Sequence, residues 1–351
     1  MMFFQQIADG GCQSYIVACP ESCAAILIDP ALGQIDRYMG VLGREGFRLR
    51  YIIETHTHAD HFSAARQLRE QTGAPIVMHR AGRAPFVDIH VEDGHSLAVG
   101  DLRPAFLHTP GHTADSMCVH ITDRVFTGDT LLIGGTGRTD LPTGDPDRLY
   151  DSLFGKLLKL PGETLVYPAH DYKGRNHSTI TAEIADNPRL QKHDRAEFVA
   201  MMESLNLAAP THLTEALRTN LTGGKTVRQI LSEAAQQTPF MSLDELETRL
   251  GRKANDFVVL DVRERDAFLA GHVPGASHLP RGQLELRVDE AFPDPDMEIL
   301  TVCEFGKIST LAAATLRQLG FHRAIALDGG MKMWREKNKP MVGPEGLEPP
   351  T

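Results

Sequence analysis

Three histidines and an aspartate crowd into the run Thr55-His56-Thr57-His58-Ala59-Asp60-His61, at the end of the apolar strand Leu49-Arg50-Tyr51-Ile52-Ile53-Glu54-Thr55. No other stretch constrains the fold as strongly. A regular strand sends alternate side chains to opposite faces, so these donors share one point only if the chain turns where the strand ends. Imidazoles and a carboxylate at that density suit metal ligation, and a polar loop without function is a poor account of them. Three later segments repeat the order of apolar run, Gly or Pro, then ligand-type side chain. They place His112 in Thr109-Pro110-Gly111-His112, Asp129 in Thr127-Gly128-Asp129 and His170 in Tyr167-Pro168-Ala169-His170. The sequence therefore predicts a centre built at several strand ends by loops far apart in the chain. His79, His90, His95 and His120 lack that context and read as core or surface residues.

At 351 residues the chain is near the length at which one hydrophobic core stops growing, so two domains are expected. The formal charge of −10 lacks the basic footprint of a nucleic-acid binder. Low aromatic content, 6%, and no apolar run of spanning length argue against an integral membrane protein. The start, Met1-Met2-Phe3-Phe4-Gln5-Gln6, has no basic region followed by a long apolar stretch, so no signal peptide is expected. Five cysteines, an odd number spread from Cys12 to Cys303, make a poor disulfide framework and point to a reducing cytoplasm. Secreted-scaffold and structural roles fit badly.

Residues 1–180 read as short strands punctuated by Gly and Pro, among them 24–30, 49–55, 75–79 and 116–121, with a helix from about His61 to Gln71. Strands and helices are mixed, which suggests sheets covered by helices more than one doubly wound parallel sheet. From about Ile180 to Gln237 the pattern turns helical and polar and reads as an accessory segment of the first domain. The expected boundaries are thus 1–235 for the first domain, with 180–235 as accessory segment and linker, and 236–342 for the second. In the second, the apolar strands 257–261 and 299–302 alternate with helices, as in a small parallel α/β domain. One of those helices runs from Leu311 to Leu319. The tail 343–351, GPEGLEPPT, is expected to be disordered.

The second domain carries its own chemical signal. Cys303 ends the strand Ile299–Val302 and opens the loop Cys303-Glu304-Phe305-Gly306-Lys307-Ile308-Ser309 before a helix. Backbone N–H groups and the positive end of a helix there can cradle a thiolate, a persulfide or another anion. Cys12, Cys19, Cys23 and Cys118 have no such setting and read as structural.

The order HxHxDH, distant His, Gly-Asp and final His resembles the metallo-β-lactamase superfamily over about the first 230 residues. That resemblance implies an αββα sandwich with the metal at the sheet edges. Within it, Gly137-Arg138-Thr139-Asp140 and Tyr167-Pro168-Ala169-His170-Asp171-Tyr172-Lys173-Gly174 resemble segments of persulfide dioxygenases. The glyoxalase II pattern, with Gly-His-Glu-Tyr around the last His, is absent. The resemblance implies one Fe(II) per chain held by His56, His112 and Asp129, a facial triad with open positions for sulfur and O2. His58, Asp60, His61 and His170 then orient the ligands. Glutathione carries two carboxylates, and Arg138, Tyr172, Lys173 and Arg175 are the candidate groups to hold it. The residue types also admit a second metal.

Leu260-Asp261-Val262-Arg263-Glu264, Gly271-His272-Val273-Pro274-Gly275-Ala276 and Leu327-Asp328-Gly329-Gly330 with Trp334 resemble a rhodanese domain over about 238–340. That family carries sulfane sulfur on the loop cysteine, here Cys303. Ile308 stands where many members have Arg or a hydroxyl residue, and Glu304 puts a negative charge beside the sulfur, which opposes anion binding. Together the two resemblances describe a metallo-β-lactamase sandwich fused to a small parallel α/β rhodanese domain. The expected activity is oxidation of glutathione persulfide by O2 to sulfite and glutathione, coupled to sulfur transfer between thiosulfate and glutathione. The expected partners are these small molecules, with neither nucleic acid nor membrane, and a homo-oligomer is compatible with the sequence. The alternatives are a glyoxalase II-like thioester hydrolase with a fused sulfurtransferase, and a rhodanese unit that only senses sulfur or docks.

Overall fold

The computed structural model describes residues 2–208, 213–252 and 257–343. The expected tail lies, past Gly343, outside the described residues. The chain divides into two compact units, Met1–Gly224 and Lys225–Thr351.

Two sheets form the centre of the first unit. One holds β1 (Phe3–Asp9), β2 (Cys12–Cys19), β3 (Ala24–Ile28), β4 (Arg48–Ile53), β5 (Ile76–His79) and β6 (Ile89–Val91), in that order. Its first three strands pair antiparallel and β3 through β6 pair parallel. The other sheet contains β7 (Ala105–His108), β8 (Met117–Ile121) and β9 (Arg124–Gly128). A two-stranded ribbon of β10 (Leu131–Leu132) and β11 (Gly135–Thr136) follows, then β12 (Leu165–Pro168) and β13 (Ser178–Thr179). The strand order of that second sheet is β13-β12-β9-β8-β7.

Period-two alternation sorts the apolar residues between layers. Tyr15, Val17, Ile26, Ile28, Tyr51 and Ile53 meet Phe106, Val119, Ile121 and Phe126 between the sheets. Their neighbours Ile16, Leu27, Ile52 and Ile76 face the other way, onto α1 (Ile35–Glu45) and α2 (Ala65–Thr72). On the far side, Cys118, Val125 and Val166 pack with Leu149, Ile180, Phe198 and Met202. These come from α3 (Pro146–Tyr150), α4 (Ile180–Asp186) and α5 (Arg195–Glu203). Four layers in the order α, β, β, α result, as expected.

Helix α2 starts at Ala65, four residues after the expected His61. The carbonyls that a helix would use are engaged elsewhere. Leu32 donates its N–H to Phe62 at 2.8 Å. Asn220, on α6 (Leu213–Thr222), donates its amide to the carbonyls of His58 and His61 at 2.9 Å each. Tertiary bonds thus hold the His-rich segment open as a loop.

The second unit has five parallel strands in the order β14-β18-β17-β15-β16. They are β14 (Phe240–Met241), β15 (Phe257–Asp261), β16 (Ser277–His278), β17 (Glu298–Val302) and β18 (Ile325–Leu327). Helix α7 (Val227–Gln237) belongs to this unit and packs on α11 (Lys307–Gln318), so the expected accessory segment 180–235 contributes its last helix to the second unit. Helices α8 (Leu243–Gly251) and α12 (Gly330–Glu336) cover one face of the sheet through Leu243, Leu246, Met331 and Trp334. Helices α10 (Leu284–Ala291) and α11 cover the other through Leu284, Val288, Ala312 and Leu316. The short α9 (Arg265–Leu269) follows β15 in the chain. Helix α11 begins at Lys307, earlier than the expected Leu311, because Gly306 turns the chain at φ +82° and accepts the N–H of Thr310 at 3.1 Å.

Candidate metal centre and thiol loop

The donor atoms of His56, His112 and Asp129 converge within 4.8 Å of one another. Each arrives from a different strand end: His56 follows β4, His112 sits between β7 and β8, and Asp129 follows β9. Two close approaches require glycine. A Cβ on Gly128, at φ +52°, would lie 2.6 Å from Thr55 Oγ1, and one on Gly137 would lie 2.1 Å from the Asp129 carbonyl oxygen.

Hydrogen bonds fix which atom each ligand offers. Thr55 Oγ1 donates to Asp29 Oδ2 at 2.8 Å, so it accepts the Nδ1–H of His56 at 2.9 Å. The carbonyl of Arg138 can only accept, so His112 donates its Nδ1–H there at 2.8 Å. Both imidazoles are left with an Nε2 lone pair. That of His56 is buried without a hydrogen-bond partner, and that of His112 lies 3.7 Å from Asp129 Oδ2. Asp129 Oδ1 is taken by His170 Nδ1 at 2.6 Å, leaving Oδ2 for the shared point. Burial holds the His56 pKa well below its ordinary value, so its ring is neutral and able to ligate. Two bare imidazole nitrogens and one carboxylate oxygen form the donor set of an octahedral metal with open positions, and the residues fit a single ferrous ion.

The remaining histidines divide into two groups. His58 turns its Nε2 to Asp29 Oδ1 and Glu54 Oε2, each at 3.2 Å, in a fully buried group; its Nδ1 has no partner. Burial opposes charge on His58, but the two carboxylates outweigh it and hold its pKa well above the ordinary value. His61, His170, Asp60 and Cys12 form a second convergent set. His170 spans two carboxylates, its Nε2 lying 2.6 Å from Asp60 Oδ2. Burial alone would raise the Cys12 thiol pKa, but His170 and His61 bring it down to about 6. Sequence reasoning assigned Cys12 no role, because the residue stands on a strand whose neighbours carry no chemistry. Asp29 and Glu54 were missed too, although both end apolar strands just as the recognised ligands do.

A cavity of about 770 Å3 opens on this centre, lined by Cys12, Asp60, His112, Asp129, Arg138, His170, Tyr172 and Arg189 among others. Tyr172 is 76% exposed, and its ring runs parallel to that of His170 at 6.0 Å. Arg138 lines the cavity, with its guanidinium bonded to Asp140 and to the carbonyls of Leu207 and Ala208. Arg175 departs from expectation. Its guanidinium is committed to Asp171 and the Ile133 carbonyl, and it lines a different cavity with Phe4 and Tyr167. The exposed Lys173 is outside the lining as well. Arg189, which no motif marked, is in it, bonded to Thr136.

In the second unit Cys303 is 1% exposed at the end of β17. Its sulfur accepts the backbone N–H of Ser309 at 3.2 Å and lies 3.3 Å from Ser309 Oγ, both in the first turn of α11. Glu304 corrects an expectation. Its carboxylate pairs with Arg263 at 3.4 Å and with Arg335, so its charge is locally neutralised. Arg263 is itself anchored by Asp261 at 2.7 Å. Ile308 is 49% exposed and forms no polar contact with the loop.

Comparison with known proteins agrees with both halves. The metallo-beta-lactamase superfamily matches residues 7–170, and the rhodanese-like domain matches 242–337. The chain is 39% identical over 214 residues to persulfide dioxygenase ETHE1, mitochondrial, from Homo sapiens, covering 60% of this chain and 84% of the human protein. It is 33% identical over 197 residues to a hydroxyacylglutathione hydrolase of Polaromonas, covering 52% and 74%. The crystal structure of ETHE1 from Myxococcus xanthus superposes with a TM-score of 0.62 at 42% identity, covering 64% of this chain and all of that one. The chain belongs to the metallo-beta-lactamase superfamily, in its ETHE1-like branch, and carries a C-terminal rhodanese-like domain.

Proposed function

We propose that the first unit oxidises glutathione persulfide with O2, giving sulfite and glutathione, at one iron held by His56, His112 and Asp129. The observation that carries this reading is the convergence of two bare imidazole nitrogens and one carboxylate oxygen. Bound Fe(II) supplies open coordination positions for sulfur and O2 and the electrons for O2 activation. The protein supplies orientation. Asp29 through Thr55 holds His56, the Arg138 carbonyl holds His112, and His170 holds Asp129. Both oxygen atoms end on the terminal sulfur, and water then cleaves the S–S bond to release sulfite and glutathione. On this reading Tyr172 and Arg189, which line the cavity, contact the glutathionyl part, and Arg138, also in the lining, forms the wall beside it.

The second unit moves sulfane sulfur through Cys303. Its thiolate attacks thiosulfate, the S–S bond breaks, and sulfite leaves. A glutathione thiolate then attacks the outer sulfur, forms glutathione persulfide and returns the Cys303 thiolate. The first unit consumes that product, and tethering raises its local concentration.

Oxygen uptake with glutathione persulfide, measured beside metal content, is the test: one iron per chain with uptake is expected. Two zinc or mixed metals with hydrolysis of a glutathione thioester would make the hydrolase reading correct. Among the described residues no helix is long and apolar enough to cross a membrane. All five cysteines are free, which supports a reducing compartment such as the cytoplasm.

A further inference from the structure

The cations around the loop that follows Cys303 are of two kinds. Arg263 and Arg335 are spent on Asp261 and Glu304. Arg228 of α7 and Lys307 of the Cys303 loop have no carboxylate within ion-pair distance among the described residues. Those two line one cavity of about 440 Å3, together with Leu231, Phe240, Phe305 and Asp328. Phe305, next but one to the reactive cysteine, is 63% exposed at this cavity. Helix α7 lies before residues 242–337, so the cavity is partly built by a helix added to the rhodanese-like domain.

We propose that this cavity is the acceptor subsite for a thiol peptide with two carboxylates and one ammonium, the charge pattern of glutathione. Arg228 and Lys307 take the carboxylates, Asp328 takes the ammonium, and Leu231, Phe240 and Phe305 cover the apolar stem. The volume is within the range of small-molecule pockets, and two cations with one anion match the ligand sign for sign. The proposal rests on the reading of Cys303 as sulfur carrier. It adds specificity to that step: the held thiolate attacks the outer sulfur of the Cys303 persulfide, that S–S bond breaks, and the cysteine thiolate leaves.

The test is transfer from thiosulfate to different acceptors by the full chain. In Arg228→Ala, and in Arg228→Gln as a second variant, the KM for glutathione should rise about ten-fold, as loss of a charge-assisted hydrogen bond implies. The ratio of kcat/KM for glutathione to that for 2-mercaptoethanol, which has no charged groups, should fall by a similar factor. N-acetylglutathione lacks the ammonium and should be the poorer acceptor for the wild type, whereas Asp328→Asn should erase that preference. An unchanged glutathione KM in both Arg228 variants, with transfer intact, overturns the subsite and leaves the Cys303 role standing. No transfer to any acceptor by the wild type overturns the carrier role, and the subsite with it.

Discussion

The two reactive centres are built in opposite ways. The metal centre takes its donors from positions 56, 112 and 129, three loops brought together by both sheets of a four-layer sandwich. The Cys303 centre is one continuous segment at a strand–helix junction, where the sulfur meets an N–H from six residues along the chain. The first depends on tertiary packing for its existence. The second depends mainly on a local backbone shape, set by Gly306 and the start of α11. The difference teaches where each centre is vulnerable: one to anything that shifts a sheet edge, the other to changes in its own seven residues.

The largest effects should come from removing reactive atoms, and they should not cross between the units. His56→Ala, His112→Ala or Asp129→Ala should each lose iron and bring oxygen uptake to background, since each removes one of three protein ligands. Transfer from thiosulfate to glutathione should persist in all three. Cys303→Ser should reverse the pattern: iron and uptake with supplied glutathione persulfide near wild type, and uptake with thiosulfate plus glutathione at background. Equal uptake by Cys303→Ser and wild type with the second pair of substrates would break the coupling and leave the rhodanese unit as a docking or sensing module.

Next in size is the buried group beneath the metal loop. Asp29, Glu54 and His58 are all enclosed, and Asp29→Ala or Glu54→Ala removes one of the two carboxylates that face His58 and leaves the donors of Thr55 or Ser63 without their acceptor. The expected loss is about 1–3 kcal/mol of stability, seen as a lower denaturation midpoint. Such a loss should appear in the unfolding transition of the first unit and leave that of the second in place. His58→Ala should be destabilised in the same way while its folded fraction keeps iron, because His58 groups with the carboxylates and leaves the ligand positions to others.

A smaller effect follows from the raised pKa of His58. A histidine whose folded pKa lies above its unfolded value of about 6.5 stabilises the fold fully below that pH. That contribution is lost as pH rises through the folded pKa. The first unit should therefore lose stability on the alkaline side, and in Glu54→Gln, where one of the two carboxylates is neutral, the decline should be shallower. Parallel pH profiles for wild type and variant would remove His58 from the account. The smallest effect is local to the thiol loop. Ile308→Arg should raise kcat/KM for thiosulfate by roughly three- to ten-fold, the scale of one partly exposed charge-assisted contact. No change would mean that Ile308 does not limit the approach of the anion.

Most of the ligand types were legible in the sequence because each follows an apolar strand and a Gly or Pro turn. His112, Asp129 and His170 carry that signal, His56 stands in the dense run of histidines and aspartate at the end of its strand, and the structure brings them together. Asp29 and Glu54 follow similar strands, but a single carboxylate at a strand end carries no visible chemistry until its buried partner is known. Arg175 and Lys173 were drawn in by nearness in sequence to His170. The fold turns Arg175 to Asp171 and leaves Lys173 outside the cavity lining. Arg189, fifteen residues past the last motif of the first unit, lines the cavity because the segment after α4 returns to the ribbon at Thr136.

By itself, the sequence determined the layers, since period-two apolar runs and strand-end turns dictate which faces are buried and where loops emerge. It also determined the chemical types available at each centre. The tertiary structure alone decided which histidine nitrogen faces the shared point and that His58 groups with Asp29 and Glu54. It decided too that arginines neutralise Glu304 and that α7 completes a cavity lined by the loop after Cys303. The physical reason is that ligation and ion pairing depend on distances of a few ångströms between residues far apart in the chain, and only the packed sheets and helices set those distances.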